Sequence, residues 1–285
     1  MRITLKQSEA YAYTGGRPLE GNRPAVVFIH GAQHDHSVWI LQSRYLAHHG
    51  FDVLAIDLPG HGRSGGEPLE SIVDMAEWLA DVLRAAGIGP ALLCGHSMGS
   101  LVALQCAASH PTLAAGIALV GTAAPMKVSD SLLEAAQTDE PRAFDMINAW
   151  SHSTINARPG CPGPGFSIFV QNRRLMERQA TGVLFKDFSA CNAYDGALDA
   201  ARRVRCPALF VLGARDIMTP PKAARSLIAA VAESARTSSA TAPRVTEVSG
   251  CGHALMSERP DAVLDALRGF AATLDFSARN HPDQA

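Results

Sequence analysis

Short apolar runs alternate along this chain with longer stretches whose apolar residues recur at helical spacing, the pattern of strands and helices taking turns. Six runs read as strands: Ala25 to Ile29, Asp52 to Ile56, Ala91 to Cys94, Gly116 to Val120, Ala208 to Leu212 and Val245 to Val248. Each is rich in Val, Ile, Leu or Phe and is bounded by Gly, Pro or polar turns. Continuous apolar strands suit a mostly parallel central sheet flanked by helices on both faces. Leu69 to Ala86 sets Ile72, Met75, Ala76, Leu79, Val82 and Leu83 on one helical stripe, with Gly87 as its C-cap. Ser100 to Ser109 and Pro260 to Leu274 also read as helices, and the opening segment to Thr14 as an antiparallel hairpin. The expected fold class is α/β.

Between Thr122 and Val204 the rhythm breaks. No strong buried strand occurs there, and helices are expected around Asp130–Gln137, Pro141–Trp150, Gln171–Ala180 and Phe188–Ala200. Arg158 to Gly165, in the middle, is too rich in Pro and Gly for regular structure. One sheet crossover needs far fewer residues, so the stretch is read as a helical insertion between two core strands. The expected division is residues 1–121 and 205–285 for the sheet domain and 122–204 for the insertion. The Ser-, Thr- and Ala-rich tract from Glu233 to Pro243 reads as a surface loop before the last strand.

With 47% hydrophobic and 18% charged residues, the chain can bury a sizeable core. Its 25 Lys and Arg nearly balance 27 Asp and Glu, for a formal net charge of −2. That balance offers no attraction to phosphate backbones or anionic lipid, so no nucleic-acid or membrane partner is expected. A small-molecule substrate fits better; nothing signals an oligomeric state. Cys94, Cys106, Cys161, Cys191, Cys206 and Cys251 stand singly, matching neither a zinc site nor a dense disulfide framework. The first residues lack the apolar stretch of about 7–15 residues of a signal peptide, and no run approaches the ~20 of a membrane span. A cytoplasmic protein is expected.

The chemistry begins at Gly95-His96-Ser97-Met98-Gly99. A G-x-S-x-G pentapeptide is weak alone, but this one follows the apolar run Ala91 to Cys94 and opens the helix at Ser100. It therefore sits on a strand-to-helix turn that raises the serine hydroxyl at the sheet's carboxyl edge. Flanking glycines avoid a Cβ collision with strand and helix, and the helix N-terminus aims backbone N–H groups at an oxyanion. The alternative is a turn serine that only caps the helix. A serine nucleophile needs a base and an acid to orient it. Asp216 follows the strand Ala208 to Leu212, and His253 follows Val245 to Val248, both at the edge occupied by Ser97.

The order Ser97, Asp216, His253, with Asp in a G-x-x-D-x-x-x-P-like turn and His in a G-x-G-H-like turn, resembles the α/β-hydrolase superfamily. Phe28-Ile29-His30-Gly31 resembles the family's His-Gly turn, and Asp57-Leu58-Pro59-Gly60-His61-Gly62-Arg63-Ser64 its next conserved loop. The resemblance implies an α/β-hydrolase fold whose insertion at 122–204 is a helical cap. It implies an esterase-type hydrolase with catalytic Ser97, Asp216 and His253 and no cofactor. Carried over by position, the oxyanion hole is the backbone N–H groups of Ala32 and Met98. Carbon–carbon bond hydrolases, lactonases and cofactor-free perhydrolases share this triad, and a catalytically inactive ligand-binding receptor is the rival of another class.

Gln33 departs from the small glycine of many relatives; with His34, Trp39 and Trp150 it is a candidate for lining the substrate pocket. A core role for the Trp39 indole is an equal alternative. His30 and His61 read as loop braces. His34 and His36 lack the carboxylate or cysteine cluster of a metal site, and Cys251 reads as packing.

Overall fold

The computed structural model describes residues 1–5, 8–153, 167–238 and 241–277. The Pro- and Gly-rich run 158–165 lies outside them. The strands are β1 (Arg2–Thr4), β2 (Glu9–Tyr13), β3 (Ala25–Ile29), β4 (Asp52–Asp57), β5 (Ala91–His96), β6 (Ala114–Val120), β7 (Ala208–Gly213) and β8 (Arg244–Val248). They form one 8-stranded sheet in the order β1-β2-β4-β3-β5-β6-β7-β8. β1 and β2 make the expected antiparallel hairpin, β2 pairs antiparallel with β4, and the other pairs are parallel.

The central strands are buried on both faces, which is why they read as unbroken apolar runs. Successive side chains part to opposite faces. Val27 and Ile29 join the cluster under α2 (Ile72–Ala85) and α3 (Met98–Ser109), whereas Val26 and Phe28 join the one under α1 (Ile40–Ala47). α2 starts at Ile72 rather than Leu69 because Ser71 caps it, its hydroxyl accepting the Asp74 N–H.

The strand order places the site. From β3 the chain moves to β4 on one side, then crosses to β5 on the other. The carboxyl ends of β3 and β5 are therefore adjacent at a topological switch point, with Ile29 opposite Gly95. The loop after β3 and the turn after β5 open into the crevice between them.

Between β6 and β7 run α4 (Asp130–Thr138), α5 (Glu140–Ser151), α6 (Ile168–Met176), α7 (Val183–Ala193) and α8 (Ala197–Arg203). Leu132, Phe144, Ile147, Met176, Leu184 and Phe188 form an apolar cluster of their own among the first four. The single helix expected over Phe188–Ala200 is two, parted at Tyr194 to Gly196. α8 packs against α3 and against α9 (Arg225–Ser238), in the layer over the sheet. The chain closes with α10 (Leu255–Glu258) and α11 (Pro260–Ala271).

Candidate active site

Ser97 stands between the last residue of β5 and the first of α3, with φ 52 and ψ −120. That is a conformation an L side chain rarely adopts. The turn holds because its N–H bonds Val120 O at 2.9 Å, and because glycine flanks it. A Cβ on Gly95 would lie 2.0 Å from Gly99 O, and one on Gly99 2.4 Å from His30 O. Strand, turn and helix approach this closely only without those side chains.

His253 lies in the loop after β8, its own carbonyl accepting from His96 Nε2 at 2.9 Å. His96 is thereby a donor at Nε2; burial and the neighbouring His253 hold its pKa well below the usual histidine range. Asp216 follows β7 and faces His253, Oδ2 to Nδ1 at 2.8 Å. The same oxygen accepts the Thr219 hydroxyl at 2.7 Å, and Oδ1 accepts the N–H groups of Met218 and Thr219. Burial pushes the Asp216 carboxyl up, but the His253 charge and these hydrogen bonds outweigh it and hold the pKa at about 2. An ionised Asp216 keeps the proton on His253 Nδ1 and leaves Nε2 as the acceptor.

Ser97, Met98, Ala32 and His253 line a cavity of about 170 Å³, closed by Trp150, Phe188 and Leu132 of the inserted segment. Among the described residues the Ser97 hydroxyl has no hydrogen-bond partner. A second cavity of about 510 Å³ shares His253 with the first as a lining residue and is also lined by His34 and His96 from the core and Val170 and Asn172 from α6.

The four pocket candidates divide. Trp150 lines the smaller cavity and His34 the larger. Trp39 instead is fully buried, its indole donating to Ile29 O and packed on Phe28, so it braces β3 from beneath. Gln33 lines neither cavity: its N–H donates to Asp187 Oδ2 at 2.8 Å and its Nε2 to Met176 O at 3.1 Å. His30 and His61 brace loops, His30 Nε2 accepting the Leu58 N–H and His61 Nε2 meeting Asp187 Oδ2. Asp35, His36 and Asp57 lie together, but their side chains are engaged with one another, with Ser37 and Arg178, and with the Arg63 N–H. Cys251 is buried, and burial pushes its thiol up to about 12, an inert packing group.

Sequence reasoning missed Asp187, Thr219 and Glu258. Asp187 had a signal: it shares the helical stripe of Val183, Leu184, Ala190 and Cys191, a carboxylate where the face is otherwise apolar.

A twisted, mostly parallel sheet with a serine raised after one strand and a carboxylate–imidazole pair after two others defines the architecture of α/β hydrolases. The chain belongs to the alpha/beta hydrolase family, whose pattern matches residues 26–266. It is 32% identical over 227 residues to a pimeloyl-[acyl-carrier protein] methyl ester esterase of Chromobacterium violaceum, covering 73% of this chain and 82% of that protein. A shorter match, 30% over 102 residues, is to the (E)-2-((N-methylformamido)methylene)succinate hydrolase of Acinetobacter baylyi; it spans 35% of this chain and 38% of that relative. In structure the chain is similar to the enol-lactonase of Burkholderia xenovorans LB400, with TM-score 0.81 and 22% identity over 95% of this chain and all of that one. An esterase of Exiguobacterium antarcticum superposes with TM-score 0.81 at 17% identity, covering 96% and 99% of the two chains. No helix among the described residues is long and apolar enough to cross a membrane.

Proposed function

We propose that the protein is a serine hydrolase cleaving a small carboxylic ester through an acyl-enzyme at Ser97. The observation that carries this reading is the Asp216–His253 pair at 2.8 Å, on a histidine that shares one cavity with Ser97 and the Ala32 and Met98 backbone. In this reading Ser97 Oγ attacks the carbonyl carbon as His253 Nε2 takes its proton. Asp216 holds the imidazole in the required tautomer and stabilises the imidazolium. The N–H groups of Ala32 and Met98 receive the oxyanion, a contribution of about 2.7–4 kcal/mol per donor in a measured protease. His253 then protonates the leaving alcohol, and a water activated by the same nitrogen releases the acid. No cofactor enters any step.

The same reading divides the chain into a catalytic core, 1–121 and 205–285, and a cap within 122–204. The separate apolar cluster of α4 to α7 supports a cap, with α8, packed on α3 and α9, as the segment that joins it to the core. The unpaired thiols Cys94, Cys106, Cys191, Cys206 and Cys251 fit a reducing, cytoplasmic setting.

The test is Ser97→Ala with a fluorophosphonate probe. Wild type is expected to label at Ser97 and hydrolyse p-nitrophenyl esters; the variant is expected to fold, fail to label and lose turnover by several orders of magnitude. A folded Ser97→Ala protein with turnover intact overturns the proposal, and an unlabelled, inactive wild type favours the receptor instead.

A further inference from the structure

The buried Asp187 and His61 take no part in the mechanism above, yet they meet directly beside the loop that carries Ala32. Asp187 belongs to α7 of the inserted segment and is fully buried. Its Oδ2 accepts the backbone N–H of Gln33 at 2.8 Å and lies 2.9 Å from His61 Nε2. The other His61 nitrogen faces Pro59 O at 2.9 Å. A carbonyl only accepts, so Nδ1 carries a proton. Burial alone would lower the His61 pKa, but the Asp187 charge and hydrogen bond outweigh it and raise it. The contact is therefore a fully buried carboxylate–imidazole pair, one oxygen of which also holds the backbone of the loop.

That backbone needs holding. The His34 N–H closes a turn onto Gly31 O at 3.3 Å, with Ala32 and Gln33 at its centre. Gln33 sits at φ 57, the left-handed region that turns usually give to Gly or Asn. Two bonds from the inserted segment keep glutamine there: Asp187 on its N–H and Met176 O on its side-chain amide. Gripping the Gln33 N–H fixes the orientation of the Ala32–Gln33 peptide, and with it the placement of Ala32, which lines the cavity of Ser97.

We infer that Asp187, held by His61, is a positioning residue for the oxyanion-binding N–H of Ala32, so that the hole is complete only while α7 is seated on the core. This rests on the reading of Ser97 and Ala32 proposed above. It makes the inserted helices part of the catalytic geometry as well as a wall of the pocket. It also gives Gln33 a reason: its side chain adds a second anchor to the same segment, where a glycine would have none.

The experiment compares Asp187→Asn and Asp187→Ala with wild type, reading kcat, KM, melting temperature and the Ki of an aryl trifluoromethyl ketone, whose adduct with serine places an oxyanion in the hole. The expected result is a kcat about 10-fold lower for Asp187→Asn, which keeps an acceptor for the Gln33 N–H, and about 100-fold lower for Asp187→Ala. Ki is expected to rise by the same factors while KM stays within about twofold. If Asp187→Ala does not fold, the isosteric Asp187→Asn decides alone. A folded Asp187→Asn enzyme whose kcat and Ki match wild type overturns the inference, as does a kcat loss with Ki unchanged. Fluorophosphonate labelling of wild type at Ser97 is scored first. If it fails, the proposed function falls with the inference; if it succeeds and Asp187→Asn is silent, only the inference falls.

Discussion

Glu258 holds Gly252, the residue before His253: its Oε1 accepts the Gly252 N–H at 2.9 Å, while Oε2 accepts the Ser153 N–H at 2.9 Å. One buried carboxylate at the end of α10 thus ties the histidine loop to the end of the α5 segment. Space is tight there, since a Cβ on Gly252 would come within 2.6 Å of Ser151 O. Glu258→Gln presents only one oxygen to two N–H groups and sets its amide N–H against the other. Leaving a buried donor unpaired costs about 1–3 kcal/mol, so urea denaturation is expected to show a loss of that size. kcat should fall more than KM rises, because the loop that aims His253 is loosened. Unchanged stability would remove Glu258 from this role.

Ser97 sits at φ 52 and ψ −120, so the turn that exposes the hydroxyl carries strain. Ser97→Ala removes the hydroxyl and keeps the strained Cβ; Ser97→Gly removes both. Although glycine gives the unfolded chain more freedom to lose, relief of a strain worth about 1–3 kcal/mol is expected to prevail. Ser97→Gly should therefore unfold at higher denaturant than Ser97→Ala, by on the order of 1 kcal/mol, with both inactive. The reverse order would mean that the turn is unstrained.

Much of this geometry was legible because each part has a local cause. Apolar runs longer than an amphipathic strand could use revealed the buried sheet, and the two glycines around Ser97 marked a backbone crossing that admits no Cβ. The meeting of Asp216 and His253 could be expected because each follows a strand on the same sheet edge. The parts that escaped depend on contacts across the fold. Trp39 follows the His30-Gly31 turn closely, but whether its ring reaches a pocket or the underside of β3 is decided by how α1 packs. Gln33 looked like a pocket residue, but its side-chain amide donates to Met176 O, 143 positions away, and lines neither cavity. The break at Tyr194 to Gly196 was lost inside an alanine-rich stretch that favours helix on both sides.

Asp216 links activity to acid stability. Its carboxyl is held at about 2, below its ordinary 3.8, so the unfolded chain binds the proton more readily than the folded one. The stabilisation is fully present above pH ~4 and lost as pH falls toward 2, amounting to on the order of 2 kcal/mol. Asp216→Asn lacks this term. Denaturation of both proteins between pH 2 and 6 is expected to show a gap that narrows below pH ~4 and is nearly closed at 2. At neutral pH the variant should lose about 10⁴-fold in kcat, as in the serine-protease example of the same substitution, because the amide favours the wrong imidazole tautomer. A gap constant across the acid window would contradict the depressed carboxyl.

The two cavities that share His253 predict which half of an ester is large. Ser97, Ala32 and Met98 line only the smaller one, so under the proposed function the acyl group that stays on Ser97 occupies it. The larger is lined by His253 without Ser97, and in the proposed mechanism His253 hands a proton to the departing alcohol. At ~30 Å³ per water-sized group, 170 Å³ admits an acyl chain of about six heavy atoms. The 510 Å³ cleft, bordered by the exposed apolar side chains of Leu41 and Val170, lies in the range that takes a drug-sized group. In a matrix of esters, kcat/KM should fall steeply once the acyl chain passes about six heavy atoms, and rise as the alcohol grows from methyl to aryl-alkyl. Phe188→Ala, which opens the wall of the small cavity, should move the acyl limit to longer chains and leave the alcohol preference in place. A methyl ester of a long acyl chain should then be a poor substrate. If such esters are instead preferred, the two cavities hold the opposite halves and the acyl chain runs past His253 beneath α6.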